Sequence, residues 1–408
     1  MRLGIIGQGA ASLFFSLVIK RELKNDIDIT LIDKNEKIFK KLYATGNGRC
    51  NLANLIVDKH SYNNDFAYDL IKKNDANSLI KFLNSIGVLT RNIDNLVYPY
   101  SLSSKSLIDH LINYLKKENV HFINNVKVLD YKFNKNDKKY QLITNIGQEY
   151  LFDYLIIDCG GLSSPNLGSD GNFIETLKKH GYEINNLKPG LTPIKVKENV
   201  KSIENERIKV EASLMNNDTL LYKECGEVIF KKDALSGIVM MDFSSIIARS
   251  SLNEFFIKLD LFKDYESEEV YQMFNKDNKE NFPFLYGYFT KRLADYIYKE
   301  ANIFNKNKKL SLFELKLLVS TVKNLTFTFK ELYPFSNSQV TIGGVNLNDI
   351  NKKDFSSKKE SNVYLLGEVL DLDGLCGGYN IMLCYSEAKE CAQSFKDKID
   401  NKQWNKFI

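Results

Sequence analysis

The first thirty-three residues constrain the fold more tightly than any other stretch. Leu3-Gly4-Ile5-Ile6 is an apolar run of strand length, and Gly7-Gln8-Gly9-Ala10-Ala11-Ser12 follows with no linker. From Ala10 to Glu22 the apolar positions Ala11, Phe14, Phe15, Val18 and Ile19 recur at helical spacing. A second strand-like run, 27–32, ends on Asp33. Strand, glycine turn, helix, strand and acid is the order that a dinucleotide-binding βαβ unit requires. Gly7 permits the tight turn and Gly9 lets backbone approach a pyrophosphate. The helix N-terminus, at Ala10, Ala11 and Ser12, presents unpaired N–H groups and the positive end of the helix dipole. Ser12 stands at the third glycine position, where a small residue still allows close helix–strand packing. Asp33 is placed to accept hydrogen bonds from both hydroxyls of an adenosine ribose. The competing reading of the same residues is an ordinary βαβ turn with a solvated acid.

With 408 residues, the chain has room for two or three domains. Its 44% apolar and 26% charged residues are ordinary for a globular protein. The net charge of +5 tolerates an anionic partner without demanding one. The six cysteines include no CxxC pair, and with only four histidines no zinc or other metal site is expected. Scattered thiols suit a reducing compartment. The chain starts directly on the glycine turn, and no apolar run approaches the about 20 residues that a membrane helix needs. A cytoplasmic location is expected.

Residues 40–51, Lys40-Lys41-Leu42-Tyr43-Ala44-Thr45-Gly46-Asn47-Gly48-Arg49-Cys50-Asn51, lack a period and combine glycines with hydrogen-bonding side chains. Such a loop can lie along a pyrophosphate and reach a flavin ring, or can be a polar connection. Thr45-Gly46-Asn47-Gly48-Arg49-Cys50-Asn51 resembles the signature loop of the BaiN/RdsA-like NAD(P)/FAD-dependent oxidoreductases. Further segments resemble that family in the same order: Val97-Tyr98-Pro99 and the helix after it, Asp158-Cys159-Gly160-Gly161, Val340-Thr341-Ile342-Gly343-Gly344, and Gly367-Glu368 through Asp373, Gly378 and Asn380. The likeness is weakest between about 200 and 325. Phe39 replaces a glycine usual in the family, and Lys40 stands where Arg is commoner. The resemblance implies FAD along Lys40, Lys41, Thr45, Gly46, Asn47, Gly48, Arg49 and Asn51, with adenine against the backbone of Val126. It also implies reduction of an activated C=C bond, in one branch of a steroid-like enone and in another of a uridine in large-subunit ribosomal RNA.

The remaining chain reads as an α/β, Rossmann-like FAD-binding domain that is discontinuous in sequence. A single helical stretch is expected over 62–87, a helix over 104–117, a strand over 120–129, and a hairpin from 139 to 152. A buried strand, 154–158, delivers Gly160 and Gly161, whose lack of side chains lets backbone pass close over a dinucleotide. The first part of this domain is placed at 1–190. A β-barrel-like, strand-rich insert follows at 191–244, with a turn at 233–237. A helical insert is expected at 245–324, where Phe255, Phe256, Leu259 and Leu261 are read as part of a helix. A return strand lies within 325–340, and the last part of the flavin domain at 341–408.

At the C-terminal end, a strand over 363–366 delivers Gly367 and Glu368, whose carboxylate can bind polyol hydroxyls such as those of ribitol. A helix opening at Tyr379, Asn380 and Ile381 points its positive pole at the flavin pyrimidine edge. That last glycine-rich segment, folding back over the first domain, is the reason to expect FAD as the bound dinucleotide. NAD(P)H is expected as a transient reductant, since no second GxGxxG unit is present. Reduction of a C=C bond wants a general acid near the flavin. Cys50 and Tyr379 are the candidates, with Cys376 ranked behind them. Lys291, Arg292, Lys306, Lys308 and Lys309, close after Phe284, Tyr286, Tyr288 and Phe289, form a candidate ribosomal RNA footprint or a solvated helix surface. Three functions are carried forward: a ribosomal RNA dihydrouridine synthase, a small-molecule enone reductase or amine oxidase, and a non-catalytic RNA-binding flavoprotein.

Overall fold

Leu3, Ile5 and Ile6 are buried on both faces of their strand, which is the environment of a central parallel strand covered by helices. The computed structural model describes residues 1–23 and 26–404, with side chains to residue 399. The chain divides into two compact units, Met1–Pro189 with Ser338–Ile408, and Gly190–Asn337. Residues 405–408, within the expected last flavin segment, lie outside the described residues.

The first unit is built on a five-stranded parallel sheet in the order Val363–Leu365, Tyr154–Ile157, Arg2–Ile6, Asp28–Ile32, His121–Ile123. Ile6 pairs with Ile157 on one side and Ile32 on the other, Ile157 with Leu365, and Ile32 with Ile123. The register therefore brings the next residues, Gly7, Asp33, Asp158, Leu366 and Asn124, to one edge of the sheet. This is the carboxyl edge, where open α/β sheets form their ligand crevice. The first helix, Ala10–Leu23, and the last, Tyr379–Trp404, pack on each other through Phe14 against Tyr385 and Phe15 against Phe395, each pair 5.6 Å between ring centroids. The two ends of the chain thus share one core.

Two expectations for this unit change. The stretch 62–87 is two helices, Asp65–Lys73 and Ala76–Ser85, because Asn64 and Asp75 each cap a new start, accepting from the amides of Ala67 and Ser78. The strand expected over 120–129 is interrupted. His121–Ile123 joins the main sheet, and Val128–Asn134 joins a separate antiparallel sheet with Lys139–Thr144 and Tyr150–Phe152. Val126 falls in the connection.

The second unit contains a closed six-stranded barrel: Ile194–Val196, Ala234–Ser236, Thr219–Phe230, Arg207–Asn216, Phe256–Asp260 and Leu325–Leu332. Phe256–Asp260 was expected to be helical. Strict alternation decides against it, since Ile257 and Leu259 are fully buried while Phe256, Lys258 and Asp260 are not. The turn expected over 233–237 is the short barrel strand Ala234–Ser236, and a helix starts at once, Ile238–Arg249. Strands and helices share one core, which includes Leu214, Ile257 and Phe327 from the barrel and Phe274, Leu293 and Leu318 from the helices.

In the first unit, His180 stacks on Tyr131 at 4.1 Å and joins Asp130 (2.8 Å) to Glu360 (3.0 Å). Tyr131 and Tyr182 donate to the same Glu360 carboxylate. Burial alone would lower the His180 pKa, but its bonds to Asp130 and Glu360 outweigh this and hold it above the ordinary 6.5. The folded state therefore binds this proton more tightly than the unfolded chain. The resulting stability is complete below pH 6.5 and is lost as pH rises through the raised value. Urea unfolding is expected to show less stability at alkaline pH than below pH 6.5, and His180→Asn is expected to remove that slope. An unchanged slope in the variant would show that His180 is not its source.

Candidate dinucleotide-binding site

At the edge of the sheet Gly7 adopts φ +101°, and a Cβ there would lie 2.0 Å from the Asp158 carbonyl oxygen. Only glycine lets the two strands end side by side in this way. Asp33 is fixed by its surroundings: Oδ2 accepts from the Gln8 amide (3.0 Å), and Oδ1 from the amide and side chain of Asn35 (2.7 and 2.8 Å). The first turn of the first helix divides its amides. Ser12 donates to Asp158 Oδ2 at 2.7 Å, and Gly9 donates to the same carboxylate. Among the described residues the Ala10 and Ala11 amides take no protein acceptor, so they remain available to an anion. At the same edge of the sheet a shallow cleft of about 60 Å³ is lined by Gly7, Asp33, Lys34, Val126, Cys159 and Asp170.

The loop 42–50 is a tight turn of 3₁₀ type whose direction depends on left-handed residues: Gly46, Asn47, Gly48 and Cys50 all have φ between 53° and 81°. Thr45 donates its hydroxyl to Leu42, and the Cys50 amide donates to Thr45. Asn47 and Arg49 are exposed, whereas Asn51 is buried and its Oδ1 has no hydrogen-bond partner. Gln8 Oε1, beside the glycine turn, is likewise buried and unpartnered, its amide nitrogen donating to Asn124.

The C-terminal segment closes on these elements. Gly367 lies against the first turn of the first helix, where a Cβ would stand 2.6 Å from Asp158 Oδ1 and 3.2 Å from the Ala11 Cβ. Gly378, with φ +94°, lies against the backbone of Ala53, two residues past Asn51. Glu368 pairs with Lys41 at 2.5 Å and accepts from the Thr341 amide at 2.9 Å. Gly160 has φ +70°, and a Cβ on Gly161 would strike the Thr341 hydroxyl.

Several candidates are occupied otherwise. Lys40 donates to the Asn166 carbonyl, and Asn380 clamps the backbone of Gly374 and Leu375. Of the other two residues expected there, Asp373 is buried and its backbone amide donates to Asn63, and Ile381 is buried at the start of the last helix. Of the Val126 backbone groups expected to face adenine, the N–H donates to the Asp33 carbonyl at 3.0 Å. Tyr379 is 8% exposed and donates its hydroxyl to the Ile56 carbonyl, so its proton is already committed. Cys50 is 2% exposed, and burial pushes its thiol up to about 11 despite a hydrogen bond with Thr45. The thiol therefore keeps its proton at neutral pH.

In the second unit, most of the basic footprint is neutralised locally. Arg292 pairs with Glu206 (2.7 Å), Lys306 with Asp295 and Lys308 with Glu314 (2.7 Å). Lys291 and Lys309 are exposed without an ion-pair partner among the described residues.

Four residues at the site had no role assigned from sequence: Gln8, Asp158 and Thr341, which lie inside motifs quoted above, and Glu387, which lies in none. Asp158 carried a signal, an acid closing the wholly apolar run Tyr154-Leu155-Ile156-Ile157. Glu387 carried one too, lying among Cys384, Ala388 and Cys391 on the apolar face of the last helix.

The parallel sheet, the glycine turn at its carboxyl edge and the acid closing the second strand define a Rossmann-fold dinucleotide-binding protein. The chain belongs to the family described as HI0933-like protein Rossmann domain, which matches residues 1–394. The resemblance to BaiN/RdsA-like flavoprotein oxidoreductases is thereby borne out. The chain is 29% identical over 402 residues to the 3-dehydro-bile acid delta(4,6)-reductase of Clostridium scindens, covering 94% of this chain and 96% of that protein. It is 25% identical over 399 residues to the ribosomal RNA dihydrouridine synthase of Escherichia coli, covering 95% and 96%. Its backbone is similar, at a TM-score of 0.49 and 10% identity, to a 3-ketosteroid-delta4-(5alpha)-dehydrogenase from Rhodococcus jostii, covering 97% and 96% of the two chains. No helix among the described residues is long and apolar enough to cross a membrane. No cluster of three or more His, Cys, Asp or Glu among them is placed to hold a metal ion.

Proposed function

We propose that this chain is an FAD-dependent reductase that takes hydride from NAD(P)H and delivers it to an activated C=C bond, with a uridine of ribosomal RNA as its substrate. The observation that carries the FAD reading is the set of unsatisfied groups on the glycine turn and the 42–51 loop of the first unit. The Ala10 and Ala11 amides await an acceptor, while Gln8 Oε1 and Asn51 Oδ1 are buried acceptors awaiting a donor. Each buried orphan costs about 1–3 kcal/mol if left unmatched. FAD offers both kinds of partner, phosphate oxygens for the amides and hydroxyl and ring N–H donors for the carbonyl oxygens. When bound, FAD supplies the hydride relay between reductant and substrate.

The chain's own residues do the rest. Asp33, immobilised by Gln8 and Asn35, is the acceptor for ribose hydroxyls. Lys41 and the Thr341 amide hold Glu368 facing the same segment, as a ribityl acceptor. Of the two proton-donor candidates, Cys50 retains a transferable proton and Tyr379 acts through packing.

The uridine reading is supported by the name of the Escherichia coli relative and by the surface of the second unit. Phe304 and Phe313 are 83% and 75% exposed, in the same stretch as Lys309. Exposed aromatic faces beside lysine suit a single strand of nucleic acid. A small-molecule enone is the second reading. It is favoured by the bile acid reductase relative and by the ion pairs that neutralise Arg292, Lys306 and Lys308.

Anaerobic stopped-flow separates the two. NADPH is expected to bleach the flavin, and ribosomal RNA fragments are expected to restore its colour with a rate that falls steeply with salt. Reoxidation by small enones alone, insensitive to salt, would replace the RNA reading by the second. RNA binding without any bleaching by NAD(P)H would reduce the protein to a binding module.

A further inference from the structure

Asp158 and Glu387 are two buried carboxyls directly beneath the glycine turn, 5% and 1% exposed. Asp158 accepts the Ser12 and Gly9 amides, and Glu387 Oε2 accepts the Gly367 amide at 2.5 Å. Gly367 separates them, with its own Cβ position 2.6 Å from Asp158 Oδ1. Among the described residues neither carboxyl has a cationic ion-pair partner. The nearby lysines are spoken for, Lys41 by Glu368 and Lys34 by Asp170. The other titratable groups facing the pair are Asp33 at the end of the neighbouring strand, Cys159 next in the chain and Cys384 on the last helix.

We infer that Asp158 is a positioning residue for the phosphate turn that carries a proton when a dinucleotide is bound, with Glu387 as its buried neighbour, so that cofactor binding takes up a proton. The inference rests on the dinucleotide reading of this site and adds a condition to it. Asp158 and an incoming pyrophosphate use adjacent amides of one helix terminus, Ser12 and Gly9 for the first, Ala10 and Ala11 for the second. An ionised Asp158 without a counter-ion repels the pyrophosphate across a few ångströms of low-dielectric interior. Protonated, it still accepts from Ser12 and Gly9 and the repulsion is gone. Burial pushes Asp158 up to about 7 and Glu387 up to about 8, so the change falls in the neutral range. A group whose protonated form is favoured in the complex weakens binding as pH rises through its free value.

The test is the FAD dissociation constant of the full chain, stripped of flavin, between about pH 6 and 9, with calorimetry in two buffers of different ionisation enthalpy. Wild type is expected to lose affinity about tenfold per pH unit above neutrality and to take up about one proton. ADP, which brings a pyrophosphate without a flavin, is expected to share the slope. Asp158→Asn is expected to flatten the slope while binding at acid pH is kept, whereas a purely structural role would weaken binding equally at every pH. Glu387→Gln, a second isosteric variant, replaces a neighbour that keeps its proton up to about 8 and is expected to leave the slope in place; a slope lost in this variant would assign the proton to Glu387 and overturn the inference. A pH-independent constant with no proton uptake in wild type overturns the inference and leaves the FAD reading standing. Failure to bind FAD or ADP at any pH overturns the reading of the site and this inference together.

Discussion

Gly7→Ala is expected to yield a protein that carries no flavin and is less stable to urea by about 3–5 kcal/mol. The residue has φ +101°, and its Cβ position lies 2.0 Å from the Asp158 carbonyl oxygen, which is backbone and cannot swing aside. Relief requires the strands Arg2–Ile6 and Tyr154–Ile157 to separate just beyond the Ile6–Ile157 pair. That movement displaces Asp158 from the Ser12 amide and reorients the first turn of the helix. The informative control is Gly48→Ala. Gly48 also has positive φ, +81°, but no protein atom lies within 4 Å of its Cβ position, so its substitution is expected to cost the stability of the chain only the backbone strain, about 1 kcal/mol. Urea denaturation of the two variants, with flavin absorbance of Gly7→Ala, checks the pair. Equal stability of Gly7→Ala and wild type would mean that the turn is looser than its geometry requires.

The parts of this fold that could be read from sequence were those set by local chemistry. The helix expected over 104–117 is found as Ser104–Lys117, because the Ser103 side chain accepts from the Ser106 amide and the stripe of Leu107, Ile108, Leu111 and Leu115 is buried. The βαβ unit was legible for the same reason: strand, glycine and helix signals stand next to one another in the chain. Phe256–Asp260 was misread because five residues support either period until neighbouring strands supply their bonds, here Arg207–Asn216 and Leu325–Leu332. The ion pairs of the basic stretch were hidden for a different reason. Arg292 is neutralised by Glu206, 86 residues away, and no window of sequence contains both. Asp158 was visible as an odd acid after an apolar strand, but its role depends on a register that places it beside Gly7 and under Ser12.

Thr341→Val is expected to destabilise the first unit by about 2–5 kcal/mol while leaving its shape almost unchanged. The Thr341 hydroxyl oxygen accepts from two backbone amides at once, Leu162 at 2.8 Å and Ser163 at 3.0 Å, and is also bonded to the Ser163 hydroxyl at 3.0 Å. Ser338 extends the cluster by donating to Ser163 at 2.7 Å. Thr341 is 1% exposed and Ser163 fully buried, so no water replaces what valine removes. Two amides of the segment after Gly160 and Gly161 are then left unsatisfied, each with its own desolvation penalty. Thr341 belongs to the strand Val340–Val345, whose first residues also donate an amide to Glu368. Loss of the hydroxyl therefore loosens the second glycine motif and the Glu368 segment together, and flavin retention is expected to fall with stability. Thr341→Ser, which keeps the acceptor and deletes only a methyl group, is expected to recover most of both, at a residual cost of about 1 kcal/mol. Urea unfolding with flavin content measured on the same samples distinguishes the cases. If valine and serine behave alike, the hydroxyl is not what ties the return strand to the second glycine motif.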